Sequence, residues 1–427
     1  MVVAVLEPIA APAILGLVAQ HVDEAAALRR QRTRLVRAPH IRLHLLRRHD
    51  ERIAAHLDGI AVAGDAGRAL AQAAAPQPGG GEVFTAALVA IGSADTAAIE
   101  RLLDIARTSP DAARGLVSAF GWASAPDLRG VTKTLLMSSD AQARALGLAA
   151  CAMHRVDPGP ALDAHTLTDA RAPLALRALD AAARLGRVDL LPACLSRIDA
   201  HDPLRAPAAR AALLLGDRRR ALAALREMAA ASGEDTRDAA LEALLLAGEP
   251  AQALLQTLAR DPRAQRTLIR GAGWSGQAQY LPWLVNQCAD PAHARIAAEA
   301  LCLITGVDLD GARLAGPRPA SAPIGPSDDA ADDGVALDAD EDLPWPDVTK
   351  LAAWWQANGA RFGASTTRLF AGAPPTVAHC STLLRSGTQR QRATAALHRT
   401  LLVPGTPLFN VAAPAWRQQR LLVQMKA

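Results

Sequence analysis

DPLRAPAARAALLLGDRRRALAALREMAAAS, residues 202–232, carries the fold in miniature. Asp202 can cap a helix, and Pro203 suits its first turn, where a missing N–H costs nothing. Leu204, Ala208, Ala211 and Leu215 share one helical face, and Gly216 follows where a helix closes in the left-handed conformation. Leu222, Leu225 and Met228 then give a second apolar face. Working outward, units of this kind open at Asp111, Asp140, Asp169, Asp202, Asp235, Asp261 and Asp290, at gaps of 29, 29, 33, 33, 26 and 29 residues. One such hairpin cannot bury its own apolar stripe, so it must stack on its neighbours, and this period belongs to α-solenoids. The expectation is an all-α chain with about seven helical hairpins.

Composition agrees. The chain has 427 residues, half of them apolar but only 3% aromatic, and much of the apolar mass is the helix formers Ala and Leu. Its length calls for several domains or a repeat array. Five cysteines, none in CxxC spacing, fit a reducing compartment, and a cytoplasmic location is expected. Met1 to Val22 is apolar, but Glu7, Pro8 and Pro12 interrupt it and it lacks a basic start, which argues against a secretory leader. No stretch has the length and apolarity of a membrane span.

Four segments follow: a helical cap and hinge over 1–81, the repeats over 82–307, an acidic Pro-rich linker over 308–347 and a basic helical domain over 348–427. In the cap, Leu28, Leu35, Leu43, Leu46, Ile53 and Leu57 recur at helical spacing between Glu24 and Asp58, and residues 29–56 carry a local charge of +7. Asp157-Pro158-Gly159-Pro160 predicts an irregular loop within the repeats. The linker is −9, whereas no Asp or Glu follows Asp347 and nine basic residues lie between Leu351 and Ala427. Opposite charges of this size are expected to meet, within the chain or across a dimer. The basic domain reads as a helix over Val348 to Asn358, a second over Val377 to Leu402 and an extended Pro-rich tail.

Candidate chemistry is sparse. His40 and His44 have metal-ligand spacing, but Arg37, Arg42, Arg47 and Arg48 would repel a cation. His379 and Cys380 are adjacent, so on a helix they point about 100° apart and form no dyad. Gly79-Gly80-Gly81 lacks the Lys and Ser/Thr of a phosphate loop. No catalytic, cofactor or metal residue is assigned. The arginine stretches and tryptophans raise nucleic-acid binding, but a net charge of only +4 and the competing acidic linker weigh against it. Trp122, Trp274 and Trp283 lie in or near repeat turns and read as core. The sharpest local feature is Asp340-Glu341-Asp342-Leu343-Pro344-Trp345-Pro346-Asp347, a tryptophan held extended between prolines behind a run of acids. It reads first as a clip joining the C-terminal domain to the last repeat, and second as a docking peptide.

The order of several segments is distinctive: Arg37-Ala38-Pro39-His40, Asp50-Glu51-Arg52 and His56-Leu57-Asp58-Gly59 before the repeats, then Glu341 to Asp347, Trp354-Trp355, Gln389-Arg390-Gln391-Arg392 and Ala413-Pro414-Ala415-Trp416-Arg417. Over nearly its whole length the chain resembles a poorly characterised proteobacterial family of HEAT-like repeat proteins met alongside type VI secretion components. The resemblance implies a HEAT-like α-solenoid and a cytoplasmic adaptor or chaperone that helps load an effector or spike protein. It supplies no catalytic residues. The expected protein-binding residues are Asp340, Glu341, Asp342, Trp345, Trp354, Trp355, Arg390, Arg392 and Trp416. The alternatives are a lyase-like or modifying enzyme of the HEAT-repeat type, and a nucleic-acid-binding repeat protein.

Overall fold

The structure, a computed structural model, describes residues 13–76, 79–198, 202–231, 233–322, 338, 340–363 and 367–425. It is all-helical, with 23 α-helices and no β-strand among the described residues. None of the described helices is long and apolar enough to cross a membrane. The chain divides into two compact units.

The first unit comprises Met1–Val36, His44–Ala161 and Ala412–Arg417. Its helices are α1 (Leu15–Leu35), α2 (Leu43–Val62), α3 (Gly64–Ala74), α4 (Gly80–Gly92), α5 (Thr96–Thr108), α6 (Pro110–Trp122), α7 (Val131–Leu136) and α8 (Ala141–His154). The apolar spacing between Glu24 and Asp58 is carried by two helices, because Ala38-Pro39 cannot continue the first. Asp140 opens α8, accepting from the N–H groups of Gln142 and Ala143. Asp111 does not open α6; Ser109 caps it and Pro110 fills its first turn. The core gathers Phe84, Leu116 and Phe120, all buried. Each such side chain contributes roughly 1.5–3 kcal/mol by leaving water.

The second unit comprises Arg37–Leu43, Leu162–Val411 and Gln418–Ala427. It contains α9 (Ala164–Leu167), α10 (Ala172–Leu185), α11 (Leu191–Ile198), α12 (Arg205–Leu214), α13 (Arg220–Ala231), α14 (Glu234–Leu246), α15 (Ala251–Leu258), α16 (Gln265–Ser275), α17 (Leu281–Gln287) and α18 (Ala294–Thr305). Then come α19 (Val348–Asn358), α20 (Ala360–Gly363), α21 (Val377–Ser386), α22 (Gln389–Leu402) and α23 (Ala415–Gln424), of which α23 starts on residues of the first unit. The segment read as one helix over Val377 to Leu402 is two. Gly387 is extended, and Thr388 with Gln391 forms a capping box that restarts the chain as α22. The tail, expected to be extended, ends in α23.

Within this unit α10, α12, α14, α16 and α18 pack each on the next. Just beyond their ends stand Gly186, Gly216, Gly248, Gly276 and Gly306, all at positive φ, with gaps of 30, 32, 28 and 30 residues. These glycines set the repeat more regularly than the aspartates do; Asp235, for example, lies inside α14. They also make room. A Cβ at Gly186 would overlap the Gly405 carbonyl, and one at Gly276 the Leu369 carbonyl. One at Gly306 would come within 2.6 Å of the Ala371 carbonyl. Two later stretches of chain therefore run directly over the C-terminal ends of these helices and hydrogen-bond to them. Leu369 N donates to Gly276 O (2.8 Å), Ala371 N to Leu303 O (2.7 Å) and Leu408 N to Arg184 O (2.9 Å). Carbonyls that a helix end leaves unpaired are thereby satisfied.

Candidate functional site

Aligning the helices on their closing glycines brings a charged row into register. Six residues before Gly186, Gly216, Gly248 and Gly276 stand Asp180, Arg210, Glu242 and Arg270, alternating in sign. Asp180 takes both contacts of Arg184 Nε at 2.8 Å, one turn along α10. Burial pushes the Glu242 carboxyl up, while Arg210 and Arg270 pull it back. Arg270 pairs with Asp238 and lies 4.7 Å from the Trp274 ring centre. Asp238 also accepts from the Thr267 hydroxyl at 2.6 Å.

Asp338, Asp340 and Trp345 meet the same helix array at α16 and α18. Arg266 on α16 grips the Asp340 carboxylate through both terminal nitrogens, at 2.5 and 2.7 Å. Arg295 on α18 donates to the Asp340 carbonyl (2.7 Å) and to the Asp338 carboxylate (2.5 Å), and its guanidinium lies 4.4 Å from the Trp345 ring centre. Burial alone would raise the Asp338 carboxyl; the bonds from Arg295 and from the Asp340 N–H outweigh it and hold the group below its ordinary value. Further along, Gly316 N donates to Trp345 O (2.8 Å) and Asp347 N to Leu314 O (2.7 Å), while Leu343 is buried. Asp340 is buried, Trp345 is half-buried, and Glu341 and Asp342 are exposed.

The other expected binding residues lie elsewhere. Trp354 and Trp355 flank Phe362, the second stacked on it at 6.3 Å, and both are half-buried. Arg390 grips Glu299 of α18 and donates to Arg37 O at 2.9 Å. Arg392 is fully buried, donating to Leu384 O (2.8 Å), Gln389 and Gln418 (2.5 Å), and burial lowers its pKa to about 10. In the first unit, Trp416 meets Trp122 edge-on at 5.0 Å. Of the expected meeting of acidic and basic segments, the described residues show one pair, Lys350 with Asp347 at 2.9 Å; Asp328, Asp329, Asp332 and Asp333 lie outside them. Asp338 and Asp340 go to α16 and α18, while Arg368 and Arg385 donate to backbone carbonyls.

The first unit holds a second buried cluster. Arg32 forks onto Asp50 at 2.6 and 3.1 Å, and its remaining donors reach Ala412 O (2.9 Å) and Ala413 O (3.0 Å). Asp50 also accepts from Ala415 N at 2.8 Å, and the Arg32 guanidinium lies 5.3 Å from the Trp122 ring centre. Arg417 donates to the carbonyls of Gly121, Trp122 and Ala123 at the end of α6. Sequence reading did not single out Arg32, Asp50, Arg266 or Arg295 as site residues. For Arg266 and Arg295 a signal existed: they stand ten and eleven residues before their closing glycines, near-equivalent positions on successive helices.

Among the described residues, two recesses border these helices. One of about 420 Å³ lies among α10, α12, α13 and α14 and is lined by Leu179, Leu214, Leu225 and Met228, with Arg210. Another of about 370 Å³ is lined by Tyr280 and Trp283 with Gln252 and Gln256. Neither includes a cysteine or histidine. Burial pushes the thiols of Cys151 and Cys380 up to about 11 and those of Cys194 and Cys288 up to about 12. His379 Nε2 lies 2.8 Å from Phe370 O and His49 Nε2 2.8 Å from Leu28 O, so both rings are engaged by backbone. Among the described residues no three His, Cys, Asp or Glu gather as a metal site. No protein family, curated protein or solved structure matches the chain.

Proposed function

We propose that the chain is a non-catalytic, protein-binding scaffold built as a HEAT-like α-solenoid. The observation that carries this reading is the register of α10, α12, α14, α16 and α18: equivalent helices, each packed on the next, with charged residues at repeating positions. Such an array presents a long surface, and a few arginine and aromatic anchors can dominate binding to it. The C-terminal ends of these helices are already covered by the chain itself, so a partner is left the helix flanks, where the charged row and both recesses lie. The family resemblance noted from the sequence directs the partner proposal towards an effector or spike protein of type VI secretion, served by an adaptor or chaperone.

Co-purification of the tagged full chain with neighbouring secretion proteins tests this reading. Retention of one of them, lost on charge reversal at Arg210 and Arg270, is the expected result. Retention of none overturns the secretion role. A salt-dependent mobility shift with nucleic acid would favour the rival reading. Against that rival stands the engagement of Arg368, Arg385, Arg390 and Arg417 by carbonyls and by Glu299.

A further inference from the structure

We infer that the Arg266–Arg295 face of α16 and α18 is a receptor for an acidic, tryptophan-bearing segment of another protein, and that the chain's own Asp338, Asp340 and Trp345 occupy it as a displaceable internal ligand. The inference rests on the protein-binding reading above and names the chemistry of one site on it.

The fit of the internal segment defines what the face selects. Arg266 offers a two-pronged fork that matches a carboxylate, and Asp340 fills it. Arg295 reads three features together: a main-chain carbonyl, a second carboxylate two residues earlier and an indole face five residues later. A ligand therefore needs acid-x-acid followed by tryptophan, presented extended, as the Pro344-Trp345-Pro346 frame does here. Within each ion pair one partner is shielded and the other is open to water: Asp340 at 8% against Arg266 at 33%, and Arg295 at 13% against Asp338 at 42%. An anchored core inside a wet rim is the anatomy of a recognition site.

Tethering sets how strong a competitor must be. An internal ligand acts at an effective concentration of order millimolar, so a free peptide of the same sequence competes poorly until the internal copy is weakened. A partner offering the same anchors plus contacts along the neighbouring helices has the extra affinity needed to win.

The test uses the full chain and a labelled peptide of residues 338–347. In Asp340→Asn/Trp345→Ala the receptor arginines remain while the internal ligand loses two anchors. Fluorescence anisotropy is expected to show this variant binding the peptide at least ten-fold tighter than the unmodified chain, and adding Arg266→Ala and Arg295→Ala should abolish the gain. Equal binding by the variant and the unmodified chain, with an unchanged helical spectrum, overturns the proposal. Hydrogen exchange on the unmodified chain decides independently of whether the variant folds. The Asp340 and Leu343 amides are expected to exchange at least ten-fold faster than those of α18, and equal protection means a fixed structural clip. An unmodified chain that is dimeric, and that the variant makes monomeric, would assign the site to exchange between copies and overturn the hetero-partner proposal. Failure to capture any secretion protein would sink the proposed function while leaving the peptide result standing.

Discussion

Asp50→Asn is the sharpest probe of the first unit. In the folded chain both partners of the Arg32–Asp50 pair are out of water, with side-chain exposures of 6% and 0%. One carboxylate oxygen faces Arg32 Nε, and the other faces both Arg32 Nη2 and Ala415 N. An asparagine must turn its amide NH₂ towards one of these donors, whichever way it is placed, so at least one bond is lost. It also leaves the Arg32 cation buried without its counter-charge. Breaking a buried pair from one side costs about 3–5 kcal/mol, a large share of the roughly 5–15 kcal/mol that holds an ordinary domain. With a urea slope of about 2 kcal/mol per molar, the midpoint should fall by roughly 1.5–2.5 M. Asp65→Asn is the control. Its pair with Arg68 has an aspartate 92% exposed, and the change should stay within about 0.5 kcal/mol. Urea titration followed by far-ultraviolet circular dichroism measures both. A loss below about 1 kcal/mol for Asp50→Asn, at unchanged slope, would refute the claim that this pair fastens residues 412–415.

Three further outcomes are expected. Gly276→Ala should lose at least about 2 kcal/mol in the same titration, because φ is 66° and the new methyl meets the Leu369 carbonyl, whereas Gly64→Ala, with open space around it, should lose only about 1 kcal/mol. Burial, with Arg368 and His379 adding to it, lowers His398 to about 3 from an ordinary 6.5. The unfolded chain therefore binds the extra proton between those values, and the stability that His398 contributes is complete above about pH 6.5. It falls by roughly 1.4 kcal/mol per pH unit towards pH 3, a slope that His398→Gln should remove from urea midpoints measured at pH 7, 6, 5 and 4. All five thiols should resist a disulfide reagent at pH 8 in the folded chain and react on unfolding, since burial raises each of them; rapid labelling of Cys194 or Cys288 without denaturant would contradict their packing.

The helical class was legible because Ala and Leu recur at helical spacing and because Gly216 and Gly248 punctuate the chain where helices close. Capping by Asp140 and the helix over Val348–Asn358 were equally readable, being local. What escaped was non-local. Gly276 closes a helix and also admits a strand of chain from residue 369, and nothing in its neighbourhood announces the visitor. Arg266 and Arg295 look like ordinary surface charges until the glycines put them in register. Arg392 was expected among the protein-binding residues, yet one backbone and two amide oxygens satisfy it inside. The Pro-framed Trp345 was read first as a clip to the C-terminal domain; its contacts here are with Arg295 of α18 and with Gly316.

The absence of acids from the stretches around residues 367–373 and 401–408 also has a physical reason. Each helix end carries roughly half a negative charge on its terminal carbonyls, and the second unit brings five such ends under the stretches around residues 367–373 and 401–408. A carboxylate there would face like charge, whereas arginine satisfies the carbonyls. Arg368 does this directly: its Nε donates to Ser275 O at 3.0 Å, and its Nη1 comes within 3.2 Å of where a Gly248 Cβ would stand, so one side chain spans the ends of α14 and α16. Burial lowers its pKa, so the cation is held at some cost. If the helix ends are what this arginine serves, Arg368→Met should cost about 1–2 kcal/mol for the lost bond, and Arg368→Glu about 2 kcal/mol more by placing an anion on two helix ends. Arg361→Glu, on an exposed neighbour, should cost under about 0.5 kcal/mol. Equal urea midpoints for the Met and Glu variants at position 368 would mean that the helix-end charge plays no part there, and the basic character of the tail would need a different cause.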